Sequence, residues 1–130
     1  MCTDAKPDAK LEKLGIYAKN TNQLVDGMGK TNGEIAQEFF FSSWDKNPML
    51  ADVSFDSIQS NVRTRKLGKE HEMDIFLENG NSVGIVEVKS KVRYGDIAQL
   101  KIIVEQFYQF HPLFKSYKII PALAGKVFST

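Results

Sequence analysis

Met73-Asp-Ile-Phe-Leu-Glu-Asn-Gly-Asn-Ser-Val-Gly-Ile-Val-Glu-Val-Lys89 is the stretch on which the fold turns. Residues 73–77 read as one strand, Glu78-Asn-Gly-Asn81 as a turn, and residues 82–89 as a second strand rich in valine and isoleucine. Asn79-Gly80 is the favoured pair for a two-residue type I′ turn, which needs positive φ at both positions. Both faces of the hairpin are largely apolar. A strand with no polar face is covered on both sides, so this hairpin is expected at the centre of a sheet.

Helical periods flank it. Upstream, Ile35, Ala36, Phe39, Phe40 and Trp44 form a buried stripe, which predicts a helix from Gly33 to about Lys46. Thr31 and Glu34 have capping-box spacing at its start, and Asn47-Pro48 stops it. Downstream, Leu100, Ile103, Val104, Phe107 and Phe110 repeat with the same period. Asp96 marks the start of that helix and His111-Pro112 its end. Residues 117–124 read as a further buried strand and residues 62–66 as an extended edge. Residues 49–61 fit either a helical turn or a strand. Residues 1–30 read as a polar lead-in or a short helix, from the weak rhythm of Leu11, Leu14 and Tyr17. A restriction of this order to known layer architectures gives an α/β class: a mixed central β-sheet flanked by helices, occupying residues 31–130.

Composition narrows the function. The chain has 130 residues and a net charge of +1, so any phosphate-binding patch must be local. There is a single cysteine, Cys2, and two distant histidines, His71 and His111, which argues against a disulfide framework and a zinc cluster. The polar start lacks the apolar run of a signal peptide, and no stretch reaches the roughly 20 apolar residues that span a bilayer. The expectation is a cytoplasmic protein with no membrane partner.

Against that background the charges inside the hairpin stand out. Asp74, Glu87 and Lys89 interrupt strands that are otherwise core, where an unpaired ion is very costly. With Asn79-Gly80 as the turn, Asp74 lies opposite Ile85, and Glu87 is its diagonal neighbour on the same face, followed by Lys89. Two facing carboxylates repel unless a proton or a cation sits between them. All-oxygen ligands suit a hard ion, Mg or Mn, and an adjacent lysine suits chemistry at a phosphate. The plainer reading is a buried ion pair of Asp74 with Arg63 or Lys89.

Asp74 followed after twelve residues by Glu87-Val88-Lys89 resembles the PD-(D/E)XK nuclease superfamily, whose fold is restriction-endonuclease-like. The likeness runs over residues 31–125: Gly-Glu-Ile-Ala-Gln-Glu-Phe-Phe, Met-Asp-Ile-Phe-Leu-Glu-Asn-Gly, Ile-Val-Glu-Val-Lys-Ser-Lys, then a helix and Pro-Ala-Leu-Ala-Gly125. It is most similar to small bacterial members. The resemblance implies that Asp74 and Glu87 bind Mg, that the Val88 carbonyl adds a ligand, and that Lys89 assists the attacking water. The family's helix carboxylate is assigned to Glu38, since Glu34 serves the cap. The pattern departs at Met73, where the family often has proline, and at Gln99, which Ile103 rather than a tyrosine follows. A further helix and strand also belong to the family pattern, so the fold is expected either to be a trimmed version of it or to borrow a surface from a second copy in a homodimer.

The expected function is Mg-dependent hydrolysis of phosphodiester bonds in DNA, with DNA favoured over RNA. The alternative is a catalytically silent module of the same fold that binds nucleic acid or a protein. Arg63, Arg65 and Lys91 are the nucleic-acid-binding candidates; each also fits a solvated strand position. Glu38 fits an exposed salt bridge equally well. His71 is expected at the surface, and Phe39, Phe40, Trp44, Phe107 and Phe110 in the core.

Overall fold

A computed structural model describes residues 9–11, 16–20 and 32–128. In chain order the elements are β1 (Ala9–Leu11), β2 (Ile16–Asn20), α1 (Asn32–Lys46), β3 (Met49–Leu50), β4 (Val53–Ser54), β5 (Ser57–Lys66), β6 (Lys69–Glu78), β7 (Ser82–Val92), α2 (Tyr94–Phe110) and β8 (Lys118–Phe128), with one 3-10 turn at Pro112–Phe114. Six strands form a mixed sheet in the order β1-β2-β8-β7-β6-β5. β7 and β8 run parallel and α2 connects them, whereas β5, β6 and β7 are antiparallel neighbours. The protein is thus mixed α/β, a central mixed sheet with a helix on each face.

The two helices cover opposite faces. Ala36, Phe40 and Trp44 recur every fourth residue on α1 and pack on Ile75, Leu77, Val86, Val88, Ala122 and Ala124. Leu100 and Phe107 of α2 pack on Met73, Phe76, Val83, Ile85 and Leu123. The hairpin is therefore buried on both faces, as its composition requires. α1 stops at Asn47-Pro48, where the Trp44 indole donates to the Met49 carbonyl at 3.0 Å. α2 starts two residues before Asp96, whose carboxylate accepts the Arg93 N–H at 2.7 Å and closes the first turn.

Several expectations change. Residues 9–11 and 16–20 are strands and not a helix. The edge of β8 offers β2 a row of backbone partners, Tyr17↔Ala122 through Asn20↔Gly125, and that pairing overrides a weak local rhythm. Thr31, the expected cap of α1, lies outside the described residues. The ambiguous residues 49–61 resolve into β3, β4 and the first half of β5. His71 is buried, only 2% exposed, because β6 begins at Lys69 and runs under α2. Its Nε2 lies 2.8 Å from the Ile103 carbonyl, so Nε2 carries the proton and donates, and its ring stacks on Phe110.

The hairpin turn is also one residue later than expected. Glu78 pairs with Val83 and Phe76 with Ile85, which places Gly80-Asn81 at the tip. Gly80 has φ +95°, the positive value that a II′ turn needs at its first central position. Asn79 favours this choice: its side-chain oxygen accepts the N–H groups of Asn81 (3.1 Å) and Ser82 (2.7 Å). Moving the turn by one residue moves the register by two, and a shift of two keeps every side chain on its face.

Candidate active site

The new register brings Asp74 level with Glu87, and there the backbone ladder between β6 and β7 ends. Paired positions run from Glu78↔Val83 only to Ile75↔Val86. At the next step the side chains take over. The Glu87 carboxylate accepts the Asp74 N–H at 3.2 Å, and the Asp74 carboxylate accepts the Val88 N–H at 2.8 Å. Beyond this point β6 stays with β5 and β7 stays with β8, so the sheet forks. The two acids sit at the vertex of the fork.

A kink in β6 sets Asp74 there. In a regular strand, residues 73, 75 and 77 share a face. Here Met73 packs under α2 while Ile75 and Leu77 pack under α1. The neighbouring strand changes face with it: Ile58 lies on the α1 side and Val62 on the α2 side. Between them Asn61 adopts a left-handed φ of +53°, tolerable for asparagine. The pairs Ser60↔Ile75 and Val62↔Met73 flank this point. Gln37 of α1 clamps it. Its amide donates to the Asn61 side-chain oxygen at 2.8 Å and to the Asp74 carbonyl at 3.1 Å. Gln37→Ala removes both bonds, one of them to a partly buried backbone carbonyl, and is expected to cost about 1–3 kcal/mol by urea unfolding. An unchanged midpoint would show that the kink holds itself.

The electrostatics match the geometry. Burial pushes Glu87 up to about 8, and the neighbouring Asp74 charge adds to the shift; the Asp74 N–H and Lys89 oppose it. Burial also raises Asp74, offset by the Val88 N–H and then by Lys89. Glu72, two residues before Asp74 on β6, also raises both and is the least of the causes. Lys89 is exposed and forms no ion pair with either acid, so the closed Asp74–Lys89 bridge is not what the hairpin contains. Nor does Arg63 reach Asp74. It pairs with Glu72 at 3.2 Å and Glu70 at 3.3 Å, and Arg65 pairs with Glu70 at 3.5 Å. Lys91 is exposed further along the β7 arm.

Lys89 owes its position to β8. Gly125 pairs with it, and a Cβ at Gly125 would stand 2.7 Å from the Lys89 carbonyl oxygen. Gly125→Ala must push the two strands apart, and about 1–3 kcal/mol of lost stability is expected by calorimetry. Full retention of stability would mean that this approach is looser than the distances indicate.

Glu38 stays apart from the pair. It lines a groove of about 510 Å³ between α1 and β5, with Glu34, Gln37, Phe41, Ser60 and Asn61. Among the described residues no group of three or more His, Cys, Asp or Glu side chains comes together as a metal cage. The donor set at the vertex is therefore two carboxylates, which suits a hard ion that keeps several waters or takes substrate oxygens as its remaining ligands. The sequence reading missed Gln37 and Asn61. Gln37 carries no signal beside Glu38, but an asparagine inside a strand, where it is disfavoured, marks irregular backbone.

Fold and site together define a mixed α/β protein with a partly buried carboxylate pair at a fork in its sheet and an exposed lysine two residues further along β7. Comparisons with protein-family models, with curated proteins and with solved structures find no match. Among the described residues, no helix is long and apolar enough to cross a membrane.

Proposed function

We propose that this protein is a PD-(D/E)XK-type nuclease with a restriction-endonuclease-like core, which hydrolyses phosphodiester bonds of DNA with Mg or Mn. The observation that carries the reading is the pair itself. Two carboxylates are held side by side by backbone amides in a partly buried place, and burial and mutual repulsion leave them short of positive charge. A divalent ion between Asp74 and Glu87 would relieve that repulsion, and it would supply Lewis-acid polarisation of a phosphoryl oxygen. Asp74 and Glu87 hold their carboxylates fixed through the Val88 and Asp74 amides, so little reorganisation is needed on binding. On this reading Lys89, exposed and near enough to be felt by both acids, donates hydrogen bonds to the attacking water. Its ammonium offsets charge that grows on the phosphate as the new P–O bond forms and the old one breaks.

The test is plasmid DNA incubated with Mg or Mn and with the wild type or Asp74→Ala. Metal-dependent nicking that the substitution abolishes is the expected result. Binding without cutting supports the silent-module alternative, and RNA supplied in parallel decides the substrate. Activity that persists in Asp74→Ala at wild-type level would remove the vertex from the mechanism.

A further inference from the structure

The β5–β6 hairpin ends in Lys66-Leu67-Gly68-Lys69, and three features of that tip add nothing to folding or work against it. Leu67 is 95% exposed. Leu67 (φ +52°) and Gly68 (φ +77°) form a turn with both central residues left-handed, where leucine is a poor choice for the first. Lys66 and Lys69 stand directly opposite each other, a like-charge pair that weakens the hairpin it closes. Packing explains neither the exposed Leu67 nor its left-handed φ; of the two lysines, Lys66 is tied back to the body of the fold and Lys69 has no contact that accounts for it among the described residues.

Behind the tip the arm is braced. The Lys66 ammonium donates to the Gln109 carbonyl at 3.0 Å, and Thr64 lies 3.4 Å from the His111 ring at the end of α2. Arg63 and Arg65 are engaged with Glu70 and Glu72, so the positive charge of the arm lies at its end. Leu67 precedes Asp74 by seven positions along this arm. At about 3.3 Å per residue the tip stands at most roughly 23 Å from the vertex, the rise of about seven base pairs.

The geometry points to this tip as a second contact with duplex DNA, Leu67 wedging at a base step and Lys66 and Lys69 resting on the flanking phosphates. An apolar wedge between lysines is the chemistry that opens a stacked step, and a polyanion is the partner that relieves a like-charge lysine pair. The inference rests on the reading that the vertex acts on nucleic acid, and it adds where, and in what form, that nucleic acid is held.

Two variants of the full chain test it, with a fluorescent 20-bp duplex and no metal, so that nothing is cut. Leu67→Asn creates the preferred Asn-Gly turn and is expected to raise the melting temperature by roughly 2–6 °C. The same substitution is expected to weaken duplex binding about tenfold. Lys66→Gln/Lys69→Gln is expected to lower the salt dependence of binding by about two phosphate contacts. With 2-aminopurine at interior steps, the wild type is expected to raise its fluorescence and Leu67→Asn is not. Wild-type affinity in both variants overturns the proposal, as does a wild type that binds no duplex. Because binding is read without metal, tip-dependent binding with no Mg-dependent cutting sinks the nuclease reading alone. Cutting with tip-independent binding sinks the tip alone.

Discussion

In metal-free buffer at pH 8.5, Glu87→Gln is expected to melt at a higher temperature than the wild type. The Glu87 carboxyl titrates at about 8 in the folded chain, against an ordinary value of 4.5. Between those values the unfolded chain releases a proton that the folded chain keeps. The native state therefore binds more protons, and stability falls as the pH rises through the window. Below about pH 4 there is no difference, and above 8 the full cost of holding a second charge beside Asp74 is present. Glutamine copies the protonated acid, keeps an oxygen for the Asp74 N–H, and escapes that cost. The expected gain at pH 8.5 is roughly 2–4 kcal/mol, against little change at pH 4.5. Added Mg or Mn is expected to reverse the ranking by stabilising only the wild type. Scanning calorimetry at the two pH values, with and without metal, measures all of this. A variant that melts below the wild type at pH 8.5 without metal would show that Glu87 is comfortably ionised, and the case for a cation at the vertex would go with it.

Lys89→Met is expected to leave stability and metal binding in place and to remove cutting. The lysine is exposed and carries no ion pair among the described residues, so its loss is expected to move stability by less than about 1 kcal/mol. Manganese affinity is expected to hold or tighten, because a positive neighbour has been removed. Cutting is expected to fall by about 10²- to 10⁴-fold, the usual effect of deleting a group that acts only as the transition state forms. Isothermal titration with Mn and a plasmid-nicking time course separate the two effects. Unchanged cutting rates would assign Lys89 to the surface.

Much of the frame of this site was legible in the chain. Hydrophobic period located both helices, and an apolar hairpin with Asp74, Glu87 and Lys89 inside it could only sit mid-sheet. The turn was misplaced by one residue because Asn79-Gly80 is a strong local signal. Asn79 instead spends its side chain on the Asn81 and Ser82 amides, a choice that depends on three-dimensional closure. The error was harmless because parity, not position, decides which face a strand residue takes. The kink was not legible. It requires Gln37, Asn61 and Asp74 to meet across 37 positions of sequence, and no local pattern encodes that meeting. His71 was misplaced for a related reason: what covers a strand residue is set by the reach of α2, which lies well downstream.

The fork carries a consequence for descent. Asp74 and Glu87 each satisfy a main-chain amide at a step where the ladder offers none, so both are tied into the scaffold whatever chemistry they perform. A lineage that lost its catalysis would be under pressure to keep them. Lys89 has no such tie, and drift would erase it first. If the proposed nuclease activity holds, the lysine at this position, and not the acids, is the character expected to separate active chains from silent ones.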